Sequence, residues 1–167
     1  GSCVEACQKS NGQPPHEARG FDDQTFTFLI DRGSDTYVRR LCMHCEEPSC
    51  ASACPVRALK KSAEGPVVYD ATKCLGCRYC MLACPFGVPT YEWHSAMPRV
   101  RKCQMCSHRG SKGPACAEAC PTGATITGER EALLAEARSR VANDPKTYFQ
   151  RVYGVTEAGG TDVFFIG

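Results

Sequence analysis

Apolar residues in this chain come in short bursts separated by polar loops. Thr25-Phe26-Thr27-Phe28-Leu29-Ile30 alternates, with Phe26, Phe28 and Ile30 on one face, which is the period of a strand. Asp31 to Asp35 is a turn, and Tyr37-Val38-Arg39 predicts the returning strand of a hairpin. The aromatics of this hairpin are expected in the core. Gly65 to Asp70 predicts a short strand, Val88 to Tyr91 and Pro98 to Lys102 a second hairpin, and Thr122 to Thr127 a further strand. Glu129 to Asn143 predicts a helix, with Leu133, Ala137 and Val141 as its apolar stripe. Thr127 is its candidate cap. Glu129 and Glu131 suit the positive end, Arg138 and Arg140 the negative end, and Glu136 and Arg140 form a favourably ordered pair. Pro145 prevents extension. Asn11 to Gly20 is a polar loop, and Tyr148 to Thr161 is an aromatic, glycine-rich tail.

Between these elements lie four cysteine runs. The clearest is Cys74-x2-Cys77-x2-Cys80-x3-Cys84-Pro85, the spacing of the bacterial ferredoxin run. Its first three thiolates grip one [4Fe–4S] cubane and its fourth reaches a neighbouring cluster. Cys42-x2-Cys45-x4-Cys50-x3-Cys54-Pro55 and Cys103-x2-Cys106-x9-Cys116-x3-Cys120-Pro121 repeat it with longer gaps. The gap Ser107 to Ala115 is expected as a surface loop. Cys3-x3-Cys7 matches the last two cysteines of a run whose first two are missing. Gly1-Ser2 would fit as the spacer after a cysteine just upstream, and the chain stops within the apolar Phe164 to Ile166, so both ends are expected to be cut. Similar residues follow each complete run, as a duplicated module requires. His44, inside the second run, is expected to be an exposed or hydrogen-bonded loop residue.

Fourteen cysteines in 167 residues leave disulfides, zinc or iron–sulfur as readings. Disulfide scaffolds and zinc sites give no reason for triplets with an outlying fourth cysteine and proline. A cubane does. Two-residue spacers let a loop wrap one cluster, and Gly76 allows close backbone approach, with N–H groups donating to sulfur. The third and fourth cysteines of a run lie four apart, on one side of a helical turn, and the proline then breaks the run. The net charge of +2 would become about −6 with four clusters at about −2 each. The basic group Arg99, Arg101 and Lys102 therefore reads as compensation or a partner-facing edge, and without a stacking platform it is no nucleic-acid site. No stretch is long enough to span a bilayer. No acid, base or nucleophile constellation for a small-molecule substrate stands out.

On these runs the chain resembles the four-cluster, ferredoxin-like electron-transfer subunits of bacterial membrane-associated oxidoreductases. These include the iron–sulfur subunits of dimethyl sulfoxide reductase, polysulfide reductase and formate dehydrogenase N, and the ferredoxin subunit of hydrogenase-2, whose tail Tyr148 to Thr161 resembles most. The resemblance implies an α+β fold of duplicated bacterial-ferredoxin-like modules with short β-hairpins, long loops and a C-terminal helix. Residues 1–128 would form the double cluster-binding domain, with outer runs in 1–20 and 103–128 and inner runs in 42–85. Residues 129–167 would be the helix and a docking tail. It implies one inner cluster on Cys42, Cys45, Cys50 and Cys84, the other on Cys74, Cys77, Cys80 and Cys54, and an outer cluster on Cys103, Cys106, Cys116 and Cys7. A fourth would take Cys3 and Cys120 plus two ligands this chain lacks. The implied role is non-catalytic: relaying single electrons between a catalytic subunit, a molybdenum or tungsten enzyme or a nickel–iron hydrogenase, and a polytopic membrane quinone-interacting subunit at the periplasmic face. A free polyferredoxin carrier and a structural zinc protein are the alternatives, and a catalytic cluster would need the open site that only the damaged first run offers.

Overall fold

A computed structural model describes residues 1–17 and 19–167; Ala18, within the expected Asn11 to Gly20 loop, lies outside the described residues. The fold is α+β. Three separate two-stranded antiparallel hairpins are joined by loops and very short helices. In chain order the elements are α1 (Ser2–Ser10), β1 (Phe28–Asp31), β2 (Tyr37–Arg40), α2 (Ser49–Ser52), β3 (Leu59–Lys61), β4 (Val67–Tyr69), α3 (Tyr79–Ala83), β5 (Thr90–Tyr91), β6 (Val100–Arg101), α4 (Ala115–Glu118) and α5 (Arg130–Asn143). The gap expected as a surface loop holds a 3-10 segment, Ser107–Lys112.

The first hairpin forms as its alternation predicts, with Ile30 opposite Val38. Phe26 and Phe28 are buried, and Phe21 meets Phe28 edge-on at 5.0 Å. Thr25 and Thr27 are buried too, so this segment is covered on both sides rather than one. β5 and β6 pair as expected, with Tyr91 opposite Val100. β4 also forms, but its partner β3 was not legible: Leu59-Lys60-Lys61 carries too little apolar pattern to read as a strand.

Three expectations are corrected. Thr122 to Thr127 is not a strand; Gly123 turns the chain at φ 66°, and the Thr125 N–H is spent on Cys120 Sγ at 3.4 Å instead of a ladder. Thr127 does not cap α5, which starts at Arg130 from an extended Glu129 with no side-chain cap. Its buried stripe is Leu134, Ala137 and Val141, an i, i+3, i+7 face, with Leu133 half-buried beside it. The Glu136–Arg140 pair forms at 2.8 Å.

The core beneath the hairpins consists of Cys50, Leu59, Val67, Cys80 and Val100, flanked by Cys54, Tyr69, Cys74 and Tyr91. Thiols are a large part of that packing. The tail folds back on the second cysteine run. Glu46 N–H donates to Gly160 O at 2.9 Å, and Asp162 N–H to Met43 O at 3.2 Å. Asp162 binds Lys61 at 2.5 Å, and Arg130 at the start of α5 bridges Asp162 and Glu46. Thr161 is fully buried, and the single proton of its hydroxyl has two acceptors in reach, Gly154 O at 2.9 Å and Val163 O at 2.7 Å.

Gly154 makes this clamp close. It sits at φ 103°, and a Cβ there would meet Val163 O at 2.3 Å, a backbone atom that cannot swing away. Gly154→Ala is expected to cost at least ~2 kcal/mol. Gly159→Ala, also at positive φ but with open space around it, should cost only ~1 kcal/mol. Thermal melts of the two variants under anaerobic conditions, compared with the parent, check the difference.

Candidate metal-cluster site

Two backbone turns recur along the chain. In each complete run the residue before the second cysteine has a left-handed conformation: His44 at φ 49°, Gly76 at 71° and Met105 at 54°. The turn folds the loop back on its own first cysteine, so Gly76 N–H reaches Cys74 Sγ at 3.4 Å and Met105 N–H reaches Cys103 Sγ at 3.3 Å. The second turn follows each fourth cysteine. Arg57, Gly87 and Gly123, three residues on, sit at φ 52°, 63° and 66°, and their N–H groups return to the carbonyls of Cys54, Cys84 and Cys120. Ala58 N–H then reaches Cys54 Sγ at 3.2 Å. Proline suits the turn because it lacks the donor that would continue the helix. Non-glycine residues held left-handed cost about 1–2 kcal/mol each, and such strain collects at functional sites.

The short helices set the spacing. Cys50, Cys80 and Cys116 lie on α2, α3 and α4, and Cys54, Cys84 and Cys120 come just after each. Cys3 and Cys7 lie one turn apart on α1. α2 packs against α3, and α1 against α4. The thiols meet accordingly. Burial pushes the Cys7 thiol up to about 12, with Cys116 and Cys106 adding to the rise and Arg39 opposing it. Burial does the same to Cys50; Lys102 opposes, and Cys42, Cys84 and Cys45 add to it. Cys45 is raised by burial, Cys42 and Cys84. Cys80 rises to about 11 through burial, then Cys54, Cys74 and Cys77. A small recess is lined by these last four cysteines together with Leu59, Tyr69 and Val100. Burial pushes Cys103 up to about 12, with Cys42 and then Cys7 adding to the rise. A large open cavity of about 1620 Å³ is lined by Cys3, Cys7, Cys103, Cys106, Cys116 and Cys120. Cys120 differs from the buried thiols: N–H of Thr125 and the Thr122 hydroxyl bring it down to about 7.

Several partners of the thiols were not read from sequence. Arg39, on β2, donates to Cys116 Sγ at 2.9 Å and is steadied by Thr27 and Thr125. His44, expected as an exposed or hydrogen-bonded loop residue, is hydrogen-bonded and fully buried. Its Nδ1 accepts Val67 N–H at 2.9 Å, which puts the proton of the neutral ring on Nε2, an atom without a protein partner. Burial, then Lys102 and Lys61, hold its pKa well below the usual histidine range. The basic group near β6 divides: Arg101 pairs with Glu92 at 3.3 Å and stacks over Phe26, while Lys102 is buried. Only burial separates these roles, and a run of basic letters does not encode it.

The donor set fits iron–sulfur clusters. All fourteen cysteines are free thiols. Among the described residues, no three His, Cys, Asp or Glu side chains converge closely enough to share a single ion. Buried thiols this hard to ionise become ligands when a metal replaces the proton, and the N–H groups aimed at sulfur suit the charge left behind.

Gly76 tests the first turn. A Cβ there would meet Tyr91 Oη at 2.6 Å, on a left-handed backbone. Gly76→Ala is expected to cost ~1–2 kcal/mol and to shorten the lifetime of the iron–sulfur chromophore. Bleaching of the visible absorbance in air, followed beside that of Gly12→Ala, checks it; Gly12, also at positive φ, has open space around it.

Residues 34–130 match the family described as 4Fe-4S dicluster domain. The chain is 40% identical over 158 residues to the hydrogenase-2 operon protein HybA of Escherichia coli O157:H7, covering 78% of this chain and 48% of that protein. It is 39% identical over 130 residues to the nitrate-inducible formate dehydrogenase iron-sulfur subunit of Escherichia coli K12, covering 75% and 44%. To the Hdr-like menaquinol oxidoreductase iron-sulfur subunit 1 of Archaeoglobus fulgidus it is 31% identical over 197 residues, covering 91% and 73%. The chain thus spans about half the length of the first two of these relatives. Repeated turns, free thiols in sets and family match agree: the chain belongs to the 4Fe-4S dicluster domain family.

Proposed function

We propose that the chain is the electron-transfer part of an oxidoreductase complex, holding a row of [4Fe–4S] clusters that pass single electrons and carrying out no substrate chemistry. Cys74, Cys77, Cys80 and Cys54 hold one inner cluster, and Cys42, Cys45, Cys50 and Cys84 the other. Cys103, Cys106, Cys116 and Cys7 hold an outer cluster. Cys3 and Cys120 contribute to a fourth. The observation that carries this reading is the packing of α2 on α3 and of α1 on α4, which brings cysteines of two different runs together in each pair. Crossed ligands keep the clusters of a pair adjacent. Short steps between neighbouring clusters are what a relay requires.

The partners follow from the resemblance and the relatives. A hydrogenase-2 operon protein, a formate dehydrogenase subunit and a menaquinol oxidoreductase subunit support a catalytic subunit that is a molybdenum or tungsten enzyme or a nickel–iron hydrogenase. The menaquinol oxidoreductase relative supports a quinone-interacting partner, and the resemblance alone adds that this partner is a membrane subunit at the periplasmic face. Among the described residues no helix is long and apolar enough to cross a membrane. Leu75, Tyr79 and Leu82 on the third run and the nearby Trp93 are exposed, Leu82 at 86%, and Cys77 is exposed among them. An apolar surface beside an accessible cluster ligand supports docking there.

The crossed sets make a sharp prediction. Anaerobically purified protein should hold at least about twelve iron atoms per chain, four for each complete set. Cys84→Ser should alter the electron paramagnetic resonance signal that Cys50→Ser alters, and spare the one altered by Cys80→Ser. If Cys84→Ser and Cys80→Ser disturb the same signal, ligands are not exchanged between runs; protein without iron or acid-labile sulfide defeats the whole reading.

A further inference from the structure

Lys102 is 3% exposed. Its Nζ donates to the carbonyls of Val67 and Cys103, the latter at 2.8 Å. Among the described residues no carboxylate pairs with it. Lys61 is the informative contrast. It also lies against His44, donating to its carbonyl at 2.9 Å, but is matched by Asp162 at 2.5 Å. A buried ammonium with only neutral acceptors is unfavourable unless a negative group lies close. Lys102 is next to Cys103 in the chain and is bound to the carbonyl of Val67, which packs with Cys50 in the core. Those two cysteines belong to different sets, one inner and one outer. His44, bound to the same strand residue, uses Nδ1 to accept the Val67 N–H and offers Lys102 no negative charge.

We propose that Lys102 is the shared counter-cation of the two central clusters, placed where the inner pair of runs meets the outer pair. This rests on the ligand sets proposed above. A cation near a cluster favours the form carrying the extra electron, so Lys102 raises the midpoint potentials of both central clusters relative to the cluster on Cys74, Cys77, Cys80 and Cys54. It also eases the repulsion that an electron on one central cluster exerts on its neighbour. Lys102 is therefore a positioning residue for charge, and it touches no substrate.

The test is a potentiometric titration of the anaerobically purified, cluster-loaded protein, followed by electron paramagnetic resonance, with signals assigned through the cysteine variants. Lys102→Gln keeps N–H donors for the two carbonyls but removes the charge, and Lys102→Arg keeps the charge. In Lys102→Gln the two central clusters should each become about tenfold harder to reduce, a fall of ~59 mV for a one-electron couple, while the cluster on Cys74, Cys77, Cys80 and Cys54 moves much less. Lys102→Arg should stay near the parent values. If Lys102→Gln loses iron only from the two central sites while Lys102→Arg retains it, the charge is needed for loading, which supports the same role. Unchanged central potentials, an equal shift of all clusters, or loss of all iron from both variants overturns it. A parent protein without clusters would overturn the ligand sets themselves, a separate outcome visible before any Lys102 variant is made.

Discussion

Burying sulfur ligands as bare thiols is the constraint on which this fold depends. Cys50 and Cys80 belong to the core itself, packed with Leu59, Val67 and Val100. Burial holds Cys7, Cys50 and Cys103 near 12, so none of them ionises readily in a metal-free chain. Iron would resolve the conflict by replacing the protons, which would couple cluster loading to folding. The modest regular structure agrees. Three isolated hairpins and, in the three complete runs, helices of four or five residues bury little by themselves, and a small apolar core rarely suffices without a staple.

The same constraint explains the repeated turns. A thiolate deprived of water needs donors, and the nearest are backbone N–H groups. Left-handed residues at His44, Gly76 and Met105 curl the loop around its first cysteine, and those at Arg57, Gly87 and Gly123 curl it after the fourth. Cys120 shows what such donors achieve: two hydrogen bonds and little burial bring it to about 7. Three of the six positions are glycine. The others accept strain because the surrounding loop leaves no alternative path between fixed ligands.

Much of this was legible in the sequence because cysteine spacing is a local property that survives loop insertions. The x9 gap before Cys116 changes the loop, not the helix that follows. Two hairpins were legible from alternation at Phe26 to Ile30 and from the apolar residues around Tyr91 and Val100. Thr122 to Thr127 misled because its β-branched letters mimic a strand, while Gly123 and the demand of Cys120 for a donor decide its path. β3 was hidden because Lys60 and Lys61 mask a strand held by Leu59 alone. The buried states of His44 and Lys102 were invisible for a different reason. Each lies beside a ligand cysteine, and only the tertiary approach of β4 to the second and fourth runs covers them.

That approach also decides where charge resides. The composition, with a net charge of +2, shows only that cations slightly exceed anions. The fold sorts them. Arg101 is matched by Glu92, and Lys61 by Asp162, so neither has much charge to spare for a cluster. Arg39 points its guanidinium at Cys116, and Lys102, beside Cys103 in the chain, is buried with only carbonyls to hold it. Among the described residues these two cations have no carboxylate partner, whereas Arg101 and Lys61 do. Exposed pairs contribute little to stability, whereas a buried unmatched cation is tolerated only opposite negative charge. The arrangement suits thiol sets that would carry anionic clusters.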